Sequence, residues 1–468
     1  MHEHHIARTL TSEEQHRRML QTPVPKLVLS LAAPTVASQL ISIIYNTADT
    51  YFVSQISTSA SAAVGVVFSL SSIIQAYGFG VAMGASSLIS LRLGEKKDRD
   101  ANGYASSGFF AELVGGLLIL IFGLLFLEPL MRVLGATETM LPHACAYGRI
   151  ILMGAPIMCC SFVLNCVLRA EGAAVVSMVG LCAGGLINIA LDPLFIFTFE
   201  MGTAGAAIAT VASQCVSLMI LSISFLRGRS IVHLHPKYVS CHMRDYGQII
   251  AVGFPTIARQ GMASLASALM NIQGAIYGDA AVAALTISNK IYLLVRNVMI
   301  GIGQGFQPVA GYNYGAGRYD RVRATYRLIL TITLVVGIAA TLLFQLWPEG
   351  VVGIFGQGDP LYQEFAVQTF RIFLALVTFT CFIKMSSIFF QAVGEPVKAT
   401  AASLIRDLAC FVPLAILLPR FLGIQGILLA APAADLIAMV VAVLLTRRFF
   451  RGLREQETAQ GALPPQDP

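Results

Sequence analysis

The sequence predicts an all-α polytopic membrane protein with about 12 transmembrane helices in two parallel six-helix repeats, for three reasons. Of the 468 residues, 56% are hydrophobic and only 12% are charged, and the mean hydropathy is +0.73. This composition lies far outside that of soluble globular proteins. Apolar segments long enough to cross about 30 Å of hydrocarbon recur along the chain, and one shift in numbering superposes its two halves.

Each repeat contributes six expected spans. Those of the first repeat are Val24–Phe52, Ala60–Leu91, Tyr104–Leu130, Leu141–Leu168, Ala173–Phe199 and Thr203–Leu226. Those of the second repeat are Tyr246–Ile276, Ala280–Tyr312, Tyr326–Trp347, Phe365–Ala392, Val397–Leu418 and Gly423–Leu445. We therefore divide the chain into an N-terminal six-helix lobe (1–226), a cytoplasmic connector (227–245), a C-terminal six-helix lobe (246–447) and a cytoplasmic tail (448–468).

The polar segment before the first span covers 21 residues and lacks the apolar core of a cleavable signal peptide. The first span is therefore expected to act as the insertion signal. We expect the polar segment itself to be a mobile terminus.

Basic residues are concentrated in alternate loops. One set of loops and the tail carry Arg92, Lys96, Lys97, Arg99, Arg227, Arg229, Lys237, Arg244, Arg318, Arg321, Arg323, Arg447, Arg448, Arg451 and Arg454. The positive-inside rule makes these loops and both termini cytoplasmic in a multi-pass membrane protein. The basic pI follows from these loops, so we expect no nucleic-acid partner.

The two halves match at glycine, proline and polar positions. Pairs separated by 221 residues are Pro34/Pro255, Gln39/Gln260, Gly80/Gly301, Gly84/Gly305, Gly94/Gly315, Gly202/Gly423, Gly205/Gly426 and Arg227/Arg448. An even number of helices in each repeat makes the halves parallel, related by an axis along the membrane normal. Such lobes can rock against each other around a central cavity, which is the basis of alternating access in secondary transporters.

The fifth span carries polar groups within an apolar run. Asn188 and Asp192 are four residues apart and share one helix face, so a carboxylate and an amide carbonyl can serve one cation or proton. A carboxylate costs roughly 2.5–3.5 kcal/mol at the centre of a membrane helix, so it requires a compensating partner. Pro193 lacks a backbone N–H and is expected to kink the helix. The alternative is that Asp192 lies near a helix end at the membrane interface.

The chain resembles the multidrug and toxic compound extrusion (MATE) transporters along essentially its whole length, and it is most similar to the branch of staphylococcal multidrug exporters and DNA-damage-inducible relatives. The motifs that carry the resemblance are Ala33–Pro34, Asn46–Val53, Leu168–Gly172, Asn188–Pro193, Gly202–Gly205 and Gln391–Pro396. The resemblance implies a V-shaped pair of lobes that exports amphipathic, often cationic small molecules, including xenobiotics and antibiotics, in exchange for protons or sodium. It implies a bacterial inner membrane as the location and no cofactor beyond the coupling ion.

The resemblance also implies a cation-coupling site in the N-terminal lobe. The matching residues are Asp49, Asn165, Asn188, Asp192 and Thr210. One branch of the family also carries carboxylates in the seventh and tenth helices. This chain has Arg259, Gln260 and Lys384 there instead, which favours coupling through the N-terminal lobe.

The candidate substrate-cavity residues are polar, aromatic or thioether side chains near the expected cavity: Gln39, Tyr45, Gln260, Met270, Tyr277 and Lys384. For each of the aromatic and thioether side chains, a place in the core or against lipid is the alternative.

The C-terminal lobe also carries Lys290, Arg296, Arg406, Asp407 and Asp435. These charges, with Lys384, predict either internal ion pairs, such as Lys384 with Asp407 or Asp435, or a polar patch for anionic or zwitterionic substrates. The candidate hinges are Pro34, Pro193 and Pro255.

Other functions fit the sequence less well. A flippase for lipid-linked oligosaccharides or lipids would share the repeat architecture and the basic C-terminal lobe. A membrane enzyme would need a cluster of nucleophiles, bases or metal ligands at suitable spacing, and the sequence contains none. Because one chain contains both lobes, we expect a monomer.

Overall fold

A computed structural model describes residues 11–56, 58–276, 279–353 and 360–461. Within this part of the chain every regular element is helical. The α-helices are α1 (Ser12–Gln21), α2 (Val24–Ser54), α3 (Thr58–Gly94), α4 (Asp98–Leu125), α5 (Leu127–Val133), α6 (Leu141–Ala170), α7 (Ala174–Pro193), α8 (Gly202–Leu226), α9 (Met243–Ala275), α10 (Asp279–Gly315), α11 (Tyr319–Leu346), α12 (Pro348–Gly353), α13 (Pro360–Phe373), α14 (Val377–Ala392), α15 (Pro396–Leu404), α16 (Val412–Leu422) and α17 (Ile424–Gly461).

The expected spans correspond to these helices. Among the described residues, nine helices are long and apolar enough to cross a membrane, and α13 and α14 form a tenth span bent by 49°. The more polar helices α9 and α10 are 33 and 37 residues long, which exceeds the length that a bilayer requires. Two spans continue through π-helical turns, at Leu194–Thr198 after α7 and at Ile405–Phe411 between α15 and α16.

The N-terminal lobe packs around α6. In the most apolar 18-residue stretch of α6, 72% of the residues are buried. The same share is 22% to 33% in the other spans of this lobe. Helices α3, α4 and α8 pack around α6 and account for this burial. In the C-terminal lobe, α14 packs against α10, α11, α15 and α17.

The lobes meet along a seam formed by α2 and α3 on one side and α9 and α10 on the other. Glycines allow the backbones to approach closely there. A Cβ at Gly84 would lie 2.0 Å from the carbonyl oxygen of Ile249, and one at Gly305 would lie 2.3 Å from Cα of Ala32. Small residues at helix interfaces are the usual means of close packing in membranes.

The seam has approximate two-fold symmetry. Gly80 packs against Ile257, and its repeat equivalent Gly301 packs against Val36, the equivalent of Ile257. A second pair of equivalent glycines makes matching contacts. Gly94 packs against the carbonyl group of Tyr312, and Gly315 packs against the carbonyl group of Leu91. The prediction of two parallel repeats is confirmed, and the shared glycines are the residues that join the lobes.

The seam closes only the end of the molecule that carries the basic loops 95–99, 227–245 and 316–323, which we call the basic end. In the part of α2 nearest the basic end, seven residues between Val24 and Ser38 are buried, whereas from Gln39 to Ser54 the one buried residue of this helix is Val53. The lobes therefore separate toward the opposite end, which gives the V shape.

Helix α1 bridges both lobes at the basic end. On the N-terminal lobe, Gln15 Nε2 donates to the carbonyl of Glu171 (2.6 Å). On the C-terminal lobe, His16 Nδ1 lies 2.8 Å from Tyr312 Oη, and Arg321 Nη2 donates to the carbonyl of Thr22 (2.6 Å). The expectation of a mobile terminus is wrong for residues 12–21, because a capped amphipathic helix buries Gln15 and Met19 there.

The connector is held against the N-terminal lobe by its backbone. Glu171 Oε2 accepts hydrogen bonds from Ser230 Oγ (2.7 Å) and from the N–H groups of Ile231 (3.0 Å) and Val232 (3.2 Å). Further backbone N–H groups donate to α4 side chains, from His233 to Asn102, from His235 to Ser106 and from Ser240 to Ser107. The connector therefore follows the N-terminal lobe as far as residue 240.

Candidate cation-binding site

Two acidic residues of the N-terminal lobe, Asp49 and Asp192, meet in the half of the lobe away from the basic end. Asp192 lies in the last turn of α7 and is fully buried. Asn188, one turn earlier, donates from Nδ2 to Asp192 Oδ1 (3.2 Å). The four-residue spacing has therefore placed the amide and the carboxylate on one face, inside the protein.

Asp49 approaches this pair from α2, close enough to Asp192 for the two carboxyl groups to interact electrostatically. One oxygen of each group, Asp49 Oδ1 and Asp192 Oδ2, is buried and has no hydrogen-bond partner among the described residues. An unpartnered carboxylate oxygen in a protein interior is costly and requires a proton or a cation.

Two hydroxyl groups complete the arrangement. Tyr147 of α6, which is buried, lies near Thr210 of α8 and interacts electrostatically with both carboxyl groups. Thr210 donates its own proton to the carbonyl of Ala206 (3.0 Å), which leaves its oxygen free to accept. Carboxylate, amide and hydroxyl oxygens are hard ligands, so this set fits either a proton shared by the carboxyl groups or a small hard cation such as sodium.

The local fold after Asp192 is irregular. The α-helix ends at Pro193 and continues as the π-helical turn Leu194–Thr198. Pro193 cannot donate a backbone hydrogen bond, and π-turns often occur at functional sites. Pro34 and Pro255 differ from Pro193, because they lie inside the uninterrupted helices α2 and α9 at the seam.

Asn165 lies apart from the acidic residues. Its Nδ2 donates to the carbonyl of Ser177 near the start of α7 (3.1 Å). Ser177 precedes Asn188 by eleven residues, or about 16 Å of helix rise. In this structure Asn165 joins α6 to α7, whereas Tyr147, which the sequence analysis did not select, lies beside both carboxyl groups.

The candidate cavity residues are distributed over several places. Gln39 donates to Gln304 across the seam (3.2 Å), and Arg169 donates to the same oxygen of Gln304. Tyr45 packs against Gly185 within the N-terminal lobe, and Met270 is 5% exposed in the core of the C-terminal lobe.

The other three candidates lie in the C-terminal lobe or outside the described part. Gln260 accepts a hydrogen bond from Arg296 (3.0 Å). Lys384 lies 3.9 Å from Asp407, as the ion-pair alternative predicted. Tyr277 lies outside the described residues, so the prediction for it stays a prediction.

Comparison with known proteins gives one consistent result. Residues 34–194 and 255–417, together more than half of the chain, match the MatE family. The multidrug export protein MepA of Staphylococcus aureus (strain NCTC 8325 / PS 47) is 24% identical over 441 residues, covering 93% of this chain and 97% of MepA. MepA of Staphylococcus saprophyticus is 24% identical over 440 residues, covering 92% and 96%.

Solved structures share the fold. A multidrug resistance MATE family transporter of the MOP superfamily, in an outward-facing conformation, superposes with a TM-score of 0.88 at 26% identity, covering 94% of this chain and 98% of the other. A MOP superfamily transporter from Pyrococcus furiosus gives a TM-score of 0.87 at 26% identity, covering 93% and 98%. With two family matches in tandem and this fold over nearly its whole length, the chain belongs to the MatE family and is a multi-pass membrane transporter.

Proposed function

We propose that this protein is a secondary active multidrug efflux transporter. It exports amphipathic, often cationic compounds in exchange for protons or sodium by alternating access. The observation that carries the proposal is the pair of buried, unpartnered oxygens on Asp49 and Asp192. The relatives named multidrug export proteins support the same class of substrate.

The coupling step follows from the cost of buried charge. With both carboxyl groups ionised, two negative charges face each other in a low-dielectric interior, which favours uptake of a cation. Binding a proton or sodium between them removes this repulsion and allows α2 to repack against α7. Coupling arises because the exported compound and the coupling ion each favour a different arrangement of the lobes.

The orientation follows from charge. With the basic loops in the cytoplasm, the closed seam faces inward and the V opens outward, as expected for the outward-facing state of a transporter in a bacterial inner membrane. Both termini then lie in the cytoplasm. Because the seam joins two halves of one chain, a monomer suffices for the cycle.

The proposal is tested by ethidium efflux from proteoliposomes under an imposed proton gradient and then under an imposed sodium gradient. We expect flux under at least one gradient. Asp49→Asn removes the negative charge and should abolish gradient-driven flux. Tyr147→Phe removes the hydroxyl group beside the two carboxyl groups and should lower flux roughly tenfold.

The matched control is Asp100→Asn, the same chemical change on an exposed residue in the first turn of α4, which should transport as the wild type does. Full flux in Asp49→Asn would contradict coupling at this site. Absence of flux from the wild type under both gradients would contradict the proposed function. A lipid flippase assay with the same proteoliposomes would then be the next experiment.

A further inference from the structure

A cavity opens at the basic end of the C-terminal lobe, away from both the seam and the candidate cation site. Its walls are the end of α10, the start of α15 and the last part of α17. The lining includes Tyr314, Glu395, Lys398, Leu445, Arg448 and Phe449. Its volume is about 410 Å³. Pockets that hold small ligands have volumes of about 300–1,000 Å³, so this cavity has room for a ligand group.

The polar side of the cavity carries one cation more than it has carboxylates. Lys398 Nζ lies 3.1 Å from Glu395 Oε1, and Glu395 is the only carboxylate among the described residues that line the cavity. Arg448 is exposed, and its side chain makes no ion pair or hydrogen bond with another residue in the described part of the chain. A guanidinium group with all its N–H donors free can bind two phosphate oxygens at once.

The other side of the cavity is apolar. Leu445, Phe449 and Leu453 lie on it, and the last two are 6% and 2% exposed. Lys398 Nζ lies over the ring of Phe449, 5.1 Å from its centroid, so the ammonium group is held where the polar and apolar sides meet. The cavity therefore fits a ligand that has both a charged and a hydrocarbon part.

Helix α17 connects this cavity with a lipid-facing surface. Ile437, Val440 and Leu444 are 49%, 56% and 59% exposed, in a helix that is long and apolar enough to cross a membrane. They precede Arg448 by eleven, eight and four residues, a spacing that places all four side chains on one face of the helix. Acyl chains that cover the apolar part of this face would have their headgroup one helical turn further along, beside Arg448.

We propose that this cavity binds the phosphate group of an anionic phospholipid. Arg448 and Lys398 contact the phosphate, and the acyl chains lie along the exposed apolar face of α17. This face favours a lipid over a free phosphate ion. The excess cation favours an anionic headgroup over a zwitterionic one, because Glu395 is already paired and leaves no free carboxylate for a choline or ammonium group. Basic pockets between helices at a membrane surface are typical sites for such headgroups.

The test is a titration of the purified full-length protein with dioleoylphosphatidylglycerol in detergent, followed by native mass spectrometry. We expect the first molecule of this lipid to bind more tightly than dioleoylphosphatidylcholine does. Arg448→Gln should weaken its binding roughly tenfold, and Arg448→Lys should recover part of the affinity. Arg447→Gln is the matched control, because it removes the same charge from the neighbouring exposed position, which does not line the cavity.

Glu395→Gln gives a prediction of opposite sign. It removes the carboxylate that competes with the phosphate for Lys398, so the lipid should bind roughly fivefold more tightly. A variant that merely damaged the fold would not gain affinity. If Arg448→Gln fails to unfold cooperatively on heating, Glu395→Gln and the comparison of the two lipids still decide.

Three outcomes would overturn the proposal. Equal loss of affinity in Arg448→Gln and Arg447→Gln would show only a general attraction of lipid to the basic surface. Equal affinity for the two lipids would exclude recognition of the anionic headgroup. Binding of glycerol 3-phosphate or inorganic phosphate as tightly as the lipid would assign the cavity to a free anion. Because lipid binding is measured without transport, its failure and failure of ethidium efflux are distinguishable.

Discussion

At the residue scale, Glu171 controls how the connector is held. Its carboxyl group lies just beyond the end of α6 and is 3% exposed. Burial raises the pKa of Glu171 from 4.5 to about 7, although the hydrogen bonds from Ser230, Ile231 and Val232 act in the opposite direction. When the connector is docked, this group therefore holds its proton to a higher pH than it does when exposed to water.

We predict that connector docking weakens as pH rises from 4.5 to about 7, the two ends of the pKa shift. In this window the docked form retains a proton that the released form has lost. Each pH unit therefore makes docking less favourable by at most about 1.4 kcal/mol. Amide exchange at Ile231 and Val232, corrected for intrinsic rates, should lose protection across the window and level off above it. Glu171→Gln accepts the same hydrogen bonds without titrating and should give a flat profile. An identical slope in both proteins would contradict the prediction.

The residue scale also shows which parts of the candidate site could be predicted from the sequence. Asp192 stands out because a carboxylate in an apolar run is costly, and helical spacing alone links it to Asn188. Tyr147 gives no such signal, since a tyrosine in an apolar helix has the same pattern as an ordinary core residue. The distance of Asn165 from the acidic pair depends on how α6 and α7 cross, which a sequence pattern does not specify.

At the element scale, the glycines of α3 and α10 determine how closely the lobes can approach. The regular spacing predicts matching positions in two repeats, and the structure shows that matched glycines make equivalent contacts with the opposite lobe. The sequence could not predict this contact, because a repeat gives equivalent positions without the rotation of any helix about its axis. The same reason explains why Gln39 and Gln260, equivalent in sequence, have different partners.

We predict that Gly84→Ala opens the seam, because the added Cβ would lie 2.0 Å from the backbone oxygen of Ile249. Overpacking of this kind costs about 1–3 kcal/mol. The distance between spin labels at Asp100 and Arg318, exposed positions on the two lobes at the basic end, should increase and broaden. Gly65→Ala is the matched control in the same helix, because no heavy atom of the described residues lies within 4 Å of its added Cβ. Unchanged label distances in Gly84→Ala would show that the lobes accommodate the added methyl group without separating, and would contradict the prediction.

At the scale of the whole molecule, the basic end is closed by several independent contacts. The seam contributes Gln307 Nε2 donating to Ser87 Oγ (2.6 Å), and Thr35 donating to the carbonyl of Gly301 (2.6 Å). Helix α1 lies across the same end and contacts both lobes. Alternating access requires all of these contacts to break together, which would make the transition cooperative.

We predict that a reversible cross-link across the seam stops transport. In a background without the nine native cysteines, Ser87→Cys with Gln307→Cys, joined by a short methanethiosulfonate cross-linker, should reduce ethidium flux at least tenfold. Treatment with a reductant should restore it. The Ser87→Cys single variant, treated in the same way, controls for modification alone. Continued flux through the cross-linked protein would exclude opening of the seam as a step in transport.

The contacts across the seam are self-complementary. Gly80 contacts Ile257 as Gly301 contacts Val36, and Gly94 contacts Tyr312 as Gly315 contacts Leu91. This is the geometry of an isologous interface, in which one surface binds a second copy of itself. A half-length ancestor with this surface could have assembled as a homodimer, and gene duplication with fusion would then have preserved the interface. After fusion, the carboxyl pair Asp49 and Asp192 of one half and the ion pair Lys384 and Asp407 of the other could diverge independently, since none of these residues takes part in the glycine contacts of the seam.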